Sequence, residues 1–110
     1  MAKRSTEMLH GTLDALTLKA LSRGRLHGYG IARWIEETTN EVVQVEEGSL
    51  YPALYRMEKR GWIEAEWDIS ELNRKAKFYR LTRKGREQLH IEVDKWSAFS
   101  AAISKVLLPA

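Results

Sequence analysis

The sequence has 110 residues, 44% of them hydrophobic, and a formal charge of +3, which suits one compact, folded domain. Its lack of cysteine excludes disulfides, thiolate metal sites and cysteine nucleophiles. No apolar run is long enough for a secretion signal or a membrane span, so we expect a cytoplasmic protein with no membrane partner.

Two helices are predicted at the start of the chain. Residues 7–22 carry leucines at helical spacing on one stripe, and Thr6 or Thr12 is placed to cap this helix. Gly24 ends it, and a short connection leads to a second helix over residues 28–39. The inward face of the second helix consists of Ile31, Trp34 and Ile35. Its opening glycines permit a tight turn between the two helices.

Residues 42–45 are β-prone, and residues 48–61 then read as one short helix with two different faces. We expect Ser49 to cap this helix, Pro52 to occupy its third position, where no hydrogen bond is lost, and Gly61 to end it. The core face consists of Leu50, Ala53, Leu54 and Met57. The opposite face consists of Tyr51, Pro52, Tyr55, Arg56 and Lys59.

The outer face of this third helix has an unusual composition for a solvated surface. Tyrosine can hydrogen-bond a phosphate or a base edge, while arginine and lysine supply charge for phosphates or guanine. Basic residues gather at positions 56–60 and 73–86, apart from the acidic runs, which suits a polyanion bound on one side. The face alone leaves two interpretations open, a helix that reads DNA and a pair of rings packed on a neighbouring helix.

A β-hairpin is predicted after the third helix. Residues 62–69 alternate between acidic and apolar side chains, and residues 78–81 resume a β-like pattern. The tip of the hairpin is expected near residues 70–74. Candidates for contacts with a phosphate backbone or a minor groove are Asn73, Arg74, Lys75 and Lys77. The alternative interpretation is that Arg74, Lys75 and Lys77 are solvated surface charges that bind no partner.

The last predicted element is a long helix that Thr82 caps and that continues to Leu108. Its apolar residues repeat at coiled-coil spacing. The seam consists of Leu89, Val93, Trp96, Phe99, Ile103, Val106 and Leu107. A chain this small must bury that seam against its own domain or a second chain, and we favour a second chain. Trp96 is either a packed interface residue or the wall of a ligand site.

No residue pattern indicates an enzyme, a metal site or a cofactor site. The three histidines are far apart, so each is expected to be a surface or hydrogen-bonded residue. The glycines within residues 24–30 lack the spacing of a nucleotide fingerprint and follow no strand. Adjacent carboxylates such as Glu46-Glu47 have no matching base, metal or nucleophile. We therefore expect no catalytic activity and no cofactor.

The predicted order of helix, helix, short strand, helix, hairpin and helix is that of a winged helix-turn-helix, mainly α with a small β-hairpin wing. Four segments also carry a family resemblance. They are LHGYGIA at residues 26–32, EGSLYPAL at 47–54, MEKRGWI at 57–63 and KFYRLTRKG at 77–85. Together they resemble the PadR-like transcriptional regulators over about residues 9–90, and the GSLYPAL block is the most specific part.

The resemblance implies a dimeric winged-helix repressor, with residues 1–82 as the DNA-binding domain and residues 83–110 as a long C-terminal dimerisation helix. In such a homodimer the last helix, aided by the first, joins the subunits. Some relatives bind a phenolic acid or a planar drug at the dimer interface, which makes Trp96 a candidate contact for a small planar aromatic effector. The wing departs from many relatives because its tip has Asn73-Arg74-Lys75 in place of a Gly- or Pro-containing turn.

The two recognition helices of such a dimer would enter successive major grooves of an inverted repeat, with half-sites ~10 bp apart. At the start of the second helix, Tyr29 would grip a phosphate or, alternatively, cap the helix by packing on Leu26. The expected contacts with double-stranded DNA are Tyr29, Ser49, Tyr51, Pro52, Tyr55, Arg56, Lys59, Asn73, Arg74, Lys75 and Lys77. The alternative function is a winged-helix module that binds protein through the Tyr-Pro face and does not bind DNA.

Overall fold

A computed structural model describes residues 12–108 of the chain. Within this range four helices and three strands follow one another: α1 (Leu13–Leu21), β1 (Leu26–His27), α2 (Gly28–Thr38), α3 (Glu47–Lys59), β2 (Ile63–Ile69), β3 (Lys75–Leu81) and α4 (Arg83–Leu107). The strands form one antiparallel sheet in the order β1-β3-β2. This winged helix-turn-helix confirms the predicted fold class. The predicted beginning of the first helix, with Thr6, lies outside the described residues.

The core lies between α1, α2 and α3 and extends onto the base of the sheet. It forms because apolar residues recur at helical spacing, so that one stripe on each helix meets the stripes of the other two. Fully buried side chains include Leu18 on α1, Ile31 and Ile35 on α2, and Leu50 and Met57 on α3. Burying one side chain of this size contributes about 1.5–3 kcal/mol. The predicted core face of α3 is therefore confirmed.

The two residues predicted as part of a plain connection, Leu26 and His27, form the short strand β1. Leu26 pairs with Tyr79 and His27 with Phe78, both on β3. Two residues have no periodicity of their own, so only the edge that β3 offers makes them a strand. This pairing places the start of α2 directly beside the sheet.

The predicted strand at residues 42–45 is wrong, because this segment belongs to an irregular loop. The two preceding residues have positive φ angles of 53° and 64°, which turn the chain away from an extended path. The Val45 amide then donates to the carboxylate of Glu36 at 3.0 Å, and Arg33 donates to the same carboxylate at 2.7 Å. The buried Glu36 therefore fixes the segment that leads into α3.

The third helix begins earlier than predicted. Glu46 is its N-cap residue, so Ser49 is already inside the first turn and the predicted Ser49 cap is wrong. Pro52 lies deeper in the helix than its predicted third position, and because it has no N–H, the hydrogen bond to the Gly48 carbonyl is lost. The predicted end at Gly61 is confirmed, since its φ of 78° supplies the left-handed turn that stops the helix.

A tight joint links the end of α3 to the start of α4, and we call it the α3–α4 joint. The Thr82 amide donates to the Trp62 carbonyl at 3.0 Å, and the Thr82 hydroxyl donates to the Gly61 carbonyl at 2.5 Å. Thr82 caps α4 as predicted, since its hydroxyl accepts from the Gly85 amide at 3.0 Å. A Cβ on Gly85 would lie 1.9 Å from the Trp62 carbonyl oxygen, so only glycine fits there.

Beyond its first turns, α4 leaves the domain with its apolar stripe exposed. Leu89 is half-buried against the core, whereas the rest of the predicted seam is open to solvent. The exposed members are Val93, Trp96, Phe99, Ile103, Val106 and Leu107. A groove of about 740 Å³ between α1 and α4 is lined in part by Trp96 and Phe99, whose ring centres are 6.3 Å apart. No helix within residues 12–108 is both long enough and apolar enough to cross a membrane.

Candidate nucleic-acid interface

The outer face of α3 is open to solvent. Its exposed residues are Tyr51 (45% exposed), Pro52, Tyr55 (62% exposed), Arg56 and Lys59. The alternative in which both rings pack on a neighbouring helix is wrong for Tyr55, whereas the Tyr51 ring lies against the start of α2 and keeps its other side exposed. Ser49 differs from the other predicted residues of α3 in being half-buried. The face is free to meet a ligand.

Two cations on this face are held by neighbouring side chains. Arg56 Nη2 donates to Asp14 Oδ1 of α1 at 3.1 Å, and the Lys59 ammonium lies 5.3 Å from the centre of the Tyr55 ring. Both contacts order long side chains before any ligand arrives, which lowers the entropy that binding would cost. Sequence patterns did not predict the role of Asp14, because 42 positions separate it from Arg56.

The start of α2 meets α3 through a glycine contact. A Cβ on the buried Gly28 would lie 2.5 Å from the Tyr51 hydroxyl oxygen. The Tyr51 ring therefore occupies the space that any side chain at position 28 would need. The next residue, Tyr29, is 66% exposed. His27 Nδ1 caps α2 by accepting from the Gly30 amide at 3.0 Å, so this histidine is hydrogen-bonded as predicted. The structure thus brings Tyr29 and Tyr51 to the same edge of the molecule.

The β2–β3 hairpin, which we call the wing, has two chemically different faces because side chains alternate along each strand. On the outer wing face, Arg25 donates to Glu66 and, at 2.6 Å, to Asp68. Arg80 donates to Glu64 on the same face at 3.3 Å. The hydrogen bond from Arg25 holds the pKa of the Asp68 carboxyl below its usual range. The acids of the outer wing face are therefore neutralised locally.

The inner wing face adjoins α3 and consists of Trp67, Ile69, Lys75 and Lys77. Its base is closed by Tyr79, which is buried; burial and, to a smaller degree, the charge of Glu58 raise the pKa of the Tyr79 hydroxyl. Lys77 pairs with the same Glu58 at 3.4 Å, and the Lys75 ammonium lies 5.5 Å from the centre of the Trp67 ring. The inner wing face therefore carries cations and apolar groups and no acid of its own.

The tip of the wing, residues 70–74, is a tight turn in the predicted place. The Ser70 amide donates to the Arg74 carbonyl at 2.8 Å, and Asn73 has a φ of 58°. Asparagine tolerates this left-handed conformation, so the turn closes without a glycine. Asn73, Arg74 and Lys75 are all exposed, whereas Lys77 is half-buried beside α3.

The outer face of α3, the start of α2 and the inner wing face together form the candidate interface. It offers hydroxyl, guanidinium and ammonium donors beside aromatic rings, a combination suited to phosphates and base edges. Within residues 12–108 no group of three or more His, Asp or Glu side chains is arranged to hold a metal ion. The chemistry of this surface suits a polyanion.

Residues 17–91 match the family model described as the transcriptional regulator PadR-like family. The chain belongs to the PadR-like family. Its members are regulators of transcription and not enzymes, in agreement with the family resemblance of the sequence motifs. The matched region contains the helix-turn-helix, the wing and the first turns of α4.

Solved structures of PadR-like regulators have the same fold. The PadR-like transcriptional regulator from Bacillus cereus is 33% identical, with a TM-score of 0.79 over 94% of this chain and 99% of that chain. Bacillus subtilis PadR in complex with operator DNA is 27% identical, with a TM-score of 0.66 over 74% of this chain and 46% of that chain. The negative transcriptional regulator PadR of Bacillus subtilis is 29% identical over 73 residues, which are 66% of this chain and 40% of that protein. The match therefore spans less than half of each Bacillus subtilis chain.

Proposed function

We propose that this PadR-like protein is a sequence-specific DNA-binding repressor that acts as a homodimer on an inverted-repeat operator. The observation that carries the proposal is the open outer face of α3, where two tyrosines and Arg56 lie beside the cationic inner wing face. The operator complex and the negative regulation named for the Bacillus subtilis relatives support it.

In this proposal α3 is the recognition helix and enters the major groove. Tyr51, Tyr55 and Arg56 meet base edges and phosphates, while Tyr29 grips a phosphate at the start of α2. The wing follows the DNA backbone beside the groove. The proposed contacts are Tyr29, Ser49, Tyr51, Pro52, Tyr55, Arg56, Lys59, Asn73, Arg74, Lys75 and Lys77.

The proposed dimer forms through α4, aided by α1. Residues 83–110 then serve as the dimerisation helix and residues 1–82 as the DNA-binding domain. The apolar seam of α4 supports this arrangement, because its members from Val93 to Leu107 are between 40% and 77% exposed in the single chain. A two-fold dimer presents two copies of α3 to successive major grooves, with half-sites ~10 bp apart centre to centre.

The groove between α1 and α4 is the proposed site for a small planar aromatic effector that releases the repressor. Its volume of about 740 Å³ suits a small molecule, and Trp96 and Phe99 supply aromatic surface. The alternative role of Trp96 is packing against the second subunit. Trp96→Ala separates the two roles, because loss of the effector response in an intact dimer indicates a ligand contact, whereas dissociation into monomers indicates packing.

The decisive experiment is a genome-wide selection of DNA fragments bound by the purified protein, with and without planar aromatic compounds. We expect the recovered fragments to share an inverted repeat and to bind more weakly as salt rises. Failure to enrich any duplex, together with salt-insensitive binding of a protein through the Tyr-Pro face, would favour the protein-binding module instead.

Arg56→Ala should weaken operator binding by about 1–3 kcal/mol, because in this proposal the guanidinium reads a base. Asp14→Ala is the matched control, since it removes the partner of Arg56 but keeps the guanidinium. Its affinity should stay within about threefold of wild type. Anisotropy titrations at one salt concentration measure both variants. Equal affinities of Arg56→Ala and wild type would place Arg56 outside the interface.

The double variant Arg74→Ala/Lys75→Ala should reduce the dependence of operator affinity on salt. The slope of log affinity against log salt concentration should fall by about 0.9 for each phosphate contact that is lost. The matched control is Arg23→Ala/Arg86→Ala, which removes the same charge at the opposite end of the sheet. An unaltered slope in the wing variant, or an equal reduction in the control, would reject the wing contact.

Gly28→Ala should displace the Tyr51 ring and weaken operator binding by about three- to tenfold, which is the loss of affinity expected when one hydrogen bond to the DNA is lost. Its stability should change little, because the clashing atoms are at the end of a side chain that can rotate. Tyr51→Phe keeps the ring and removes the hydroxyl group, so it shows how much of the loss belongs to that group. Wild-type affinity for Gly28→Ala would mean that the position of Tyr51 does not matter for DNA.

A further inference from the structure

Trp67 lies in the middle of the inner wing face and is 62% exposed. In the hairpin register it is opposite Lys77, and the next pair on the same face is Ile69 with Lys75. Ile63, four residues earlier on this face of the strand, is buried, so the exposed surface begins where the core ends. The largest apolar side chain of the wing is thus held in water among cations.

The polar end of Trp67 has no protein partner among the described residues. No side chain or backbone oxygen there accepts from its indole N–H, and the Lys75 ammonium lies 5.5 Å from the centre of its ring. A tryptophan nitrogen is a donor only, so its natural partner is an acceptor such as a phosphate oxygen. The ring and its nitrogen together fit a surface that alternates apolar and anionic groups.

Charge complementarity identifies the occupant of this surface. The acids of the wing strands are on the outer face and are matched by Arg25 and Arg80, whereas the inner face presents Lys75 and, paired with Glu58 of α3, Lys77. A second copy of the same face would repel these lysines. The sugar-phosphate backbone of DNA offers both features, because apolar deoxyribose rings alternate with phosphates along each strand. The inner wing face is also continuous with α3, the proposed recognition helix.

We infer that Trp67 is a wing contact for the DNA backbone: its indole N–H donates to a phosphate oxygen and its ring covers the adjacent deoxyribose. The exposed Lys75 neutralises a flanking phosphate. This inference rests on the proposed function and adds to it an uncharged contact that holds the wing on the duplex. Because the indole is neutral, the contact contributes affinity without releasing a counterion.

Two measurements on the full chain test this role, with a mixed-sequence duplex of about 30 base pairs at low salt, since a backbone contact does not depend on sequence. The first is the affinity of Trp67→Ala and Trp67→Phe, each over a series of salt concentrations. The second is iodide quenching of tryptophan emission, free and bound to the duplex. The difference between wild type and Trp67→Phe isolates the emission of Trp67 from that of the other tryptophans.

We expect Trp67→Ala to bind about three- to tenfold more weakly with an unchanged salt slope, and Trp67 to be protected from iodide in the complex. Wild-type affinity and unchanged quenching, with the duplex still bound, would overturn this inference and leave the proposed function standing. A reduced salt slope in Trp67→Ala would assign the loss to a collapsed wing and also overturn it. Protection that appears with rising protein concentration, without DNA, would assign the surface to self-association. Absence of any duplex binding would remove the proposed function and this contact together.

Discussion

Gly85→Ala should lower the free energy of unfolding by at least about 3 kcal/mol, which is the largest stability effect we expect from a single methyl group in this protein. The added Cβ would lie 1.9 Å from the Trp62 carbonyl oxygen, and this atom belongs to the backbone and cannot rotate away. Either α4 moves or the hydrogen bond between the Thr82 amide and the Trp62 carbonyl is lost. Urea unfolding at a fixed protein concentration measures the change.

Gly48→Ala is the matched control for this substitution. Gly48 is an exposed residue in the first turn of α3, and a Cβ there would meet nothing within 4 Å. Alanine is favoured over glycine in a helix, so this variant should be as stable as wild type or up to about 1 kcal/mol more stable. An unfolding midpoint for Gly85→Ala that equals that of Gly48→Ala would show that the α3–α4 joint relaxes at little cost.

Ile103→Asp should convert the proposed dimer into monomers and thereby abolish high-affinity operator binding. A buried carboxylate without a partner costs several kcal/mol, and two-fold symmetry places it in the interface twice. We expect the dimer dissociation constant to rise at least about a hundredfold, as measured by analytical ultracentrifugation. DNA affinity should fall with it, because each monomer reaches a single half-site.

Ala101→Asp is the control for the dimer prediction. Ala101 is exposed and lies nearly opposite Ile103 around the helix, so it carries the same charge at the same distance along α4. This variant should remain dimeric and bind its operator normally. If Ile103→Asp also stays dimeric, or if both variants dissociate alike, the seam of α4 is not the interface.

The buried and exposed faces of the helices and strands can be predicted from the sequence, because the spacing of the apolar residues shows which side meets the core. The buried Leu50 and Met57 and the open Tyr55 on α3 all follow from a 3.6-residue repeat. The C-terminal end of α3 and the start of α4 are also determined by local sequence. Gly61 and Thr82 have the predicted stop and cap roles because these depend on a few neighbouring residues.

The remaining features depend on contacts between distant segments, which no local pattern contains. β1 is a strand only because β3 lies beside it, and the β-prone residues before α3 form a loop because Val45 donates to Glu36. The Ser49 cap was wrong because that loop already turns into the helix at Glu47. A helical period cannot place the cap of a helix whose first three residues, 47–49, carry no core side chain.

The candidate interface shows the same division. Its tyrosines and cations are predictable from their face on α3, whereas the contacts that position them are tertiary. Arg56 is held by Asp14 and Tyr51 rests on Gly28, both from other helices. The sequence shows that acidic and apolar residues alternate along the strand that contains Trp67. The exposure of Trp67, however, depends on how far the core extends along the wing.

The α3–α4 joint couples the direction of the long last helix to that of α3, the proposed recognition helix. Because Gly61, Trp62, Thr82 and Gly85 are locked together, α3 must tilt with α4. The 25 residues of α4 span about 37 Å, so a rotation of 5° about the far end of α4 displaces its first residue, at the joint, by about 3 Å. That displacement is close to the spacing of adjacent nucleotides, about 3.4 Å. In the proposed dimer, where the outer parts of the two α4 helices meet, a change of about 5° in their crossing angle therefore moves each α3 by about one base step.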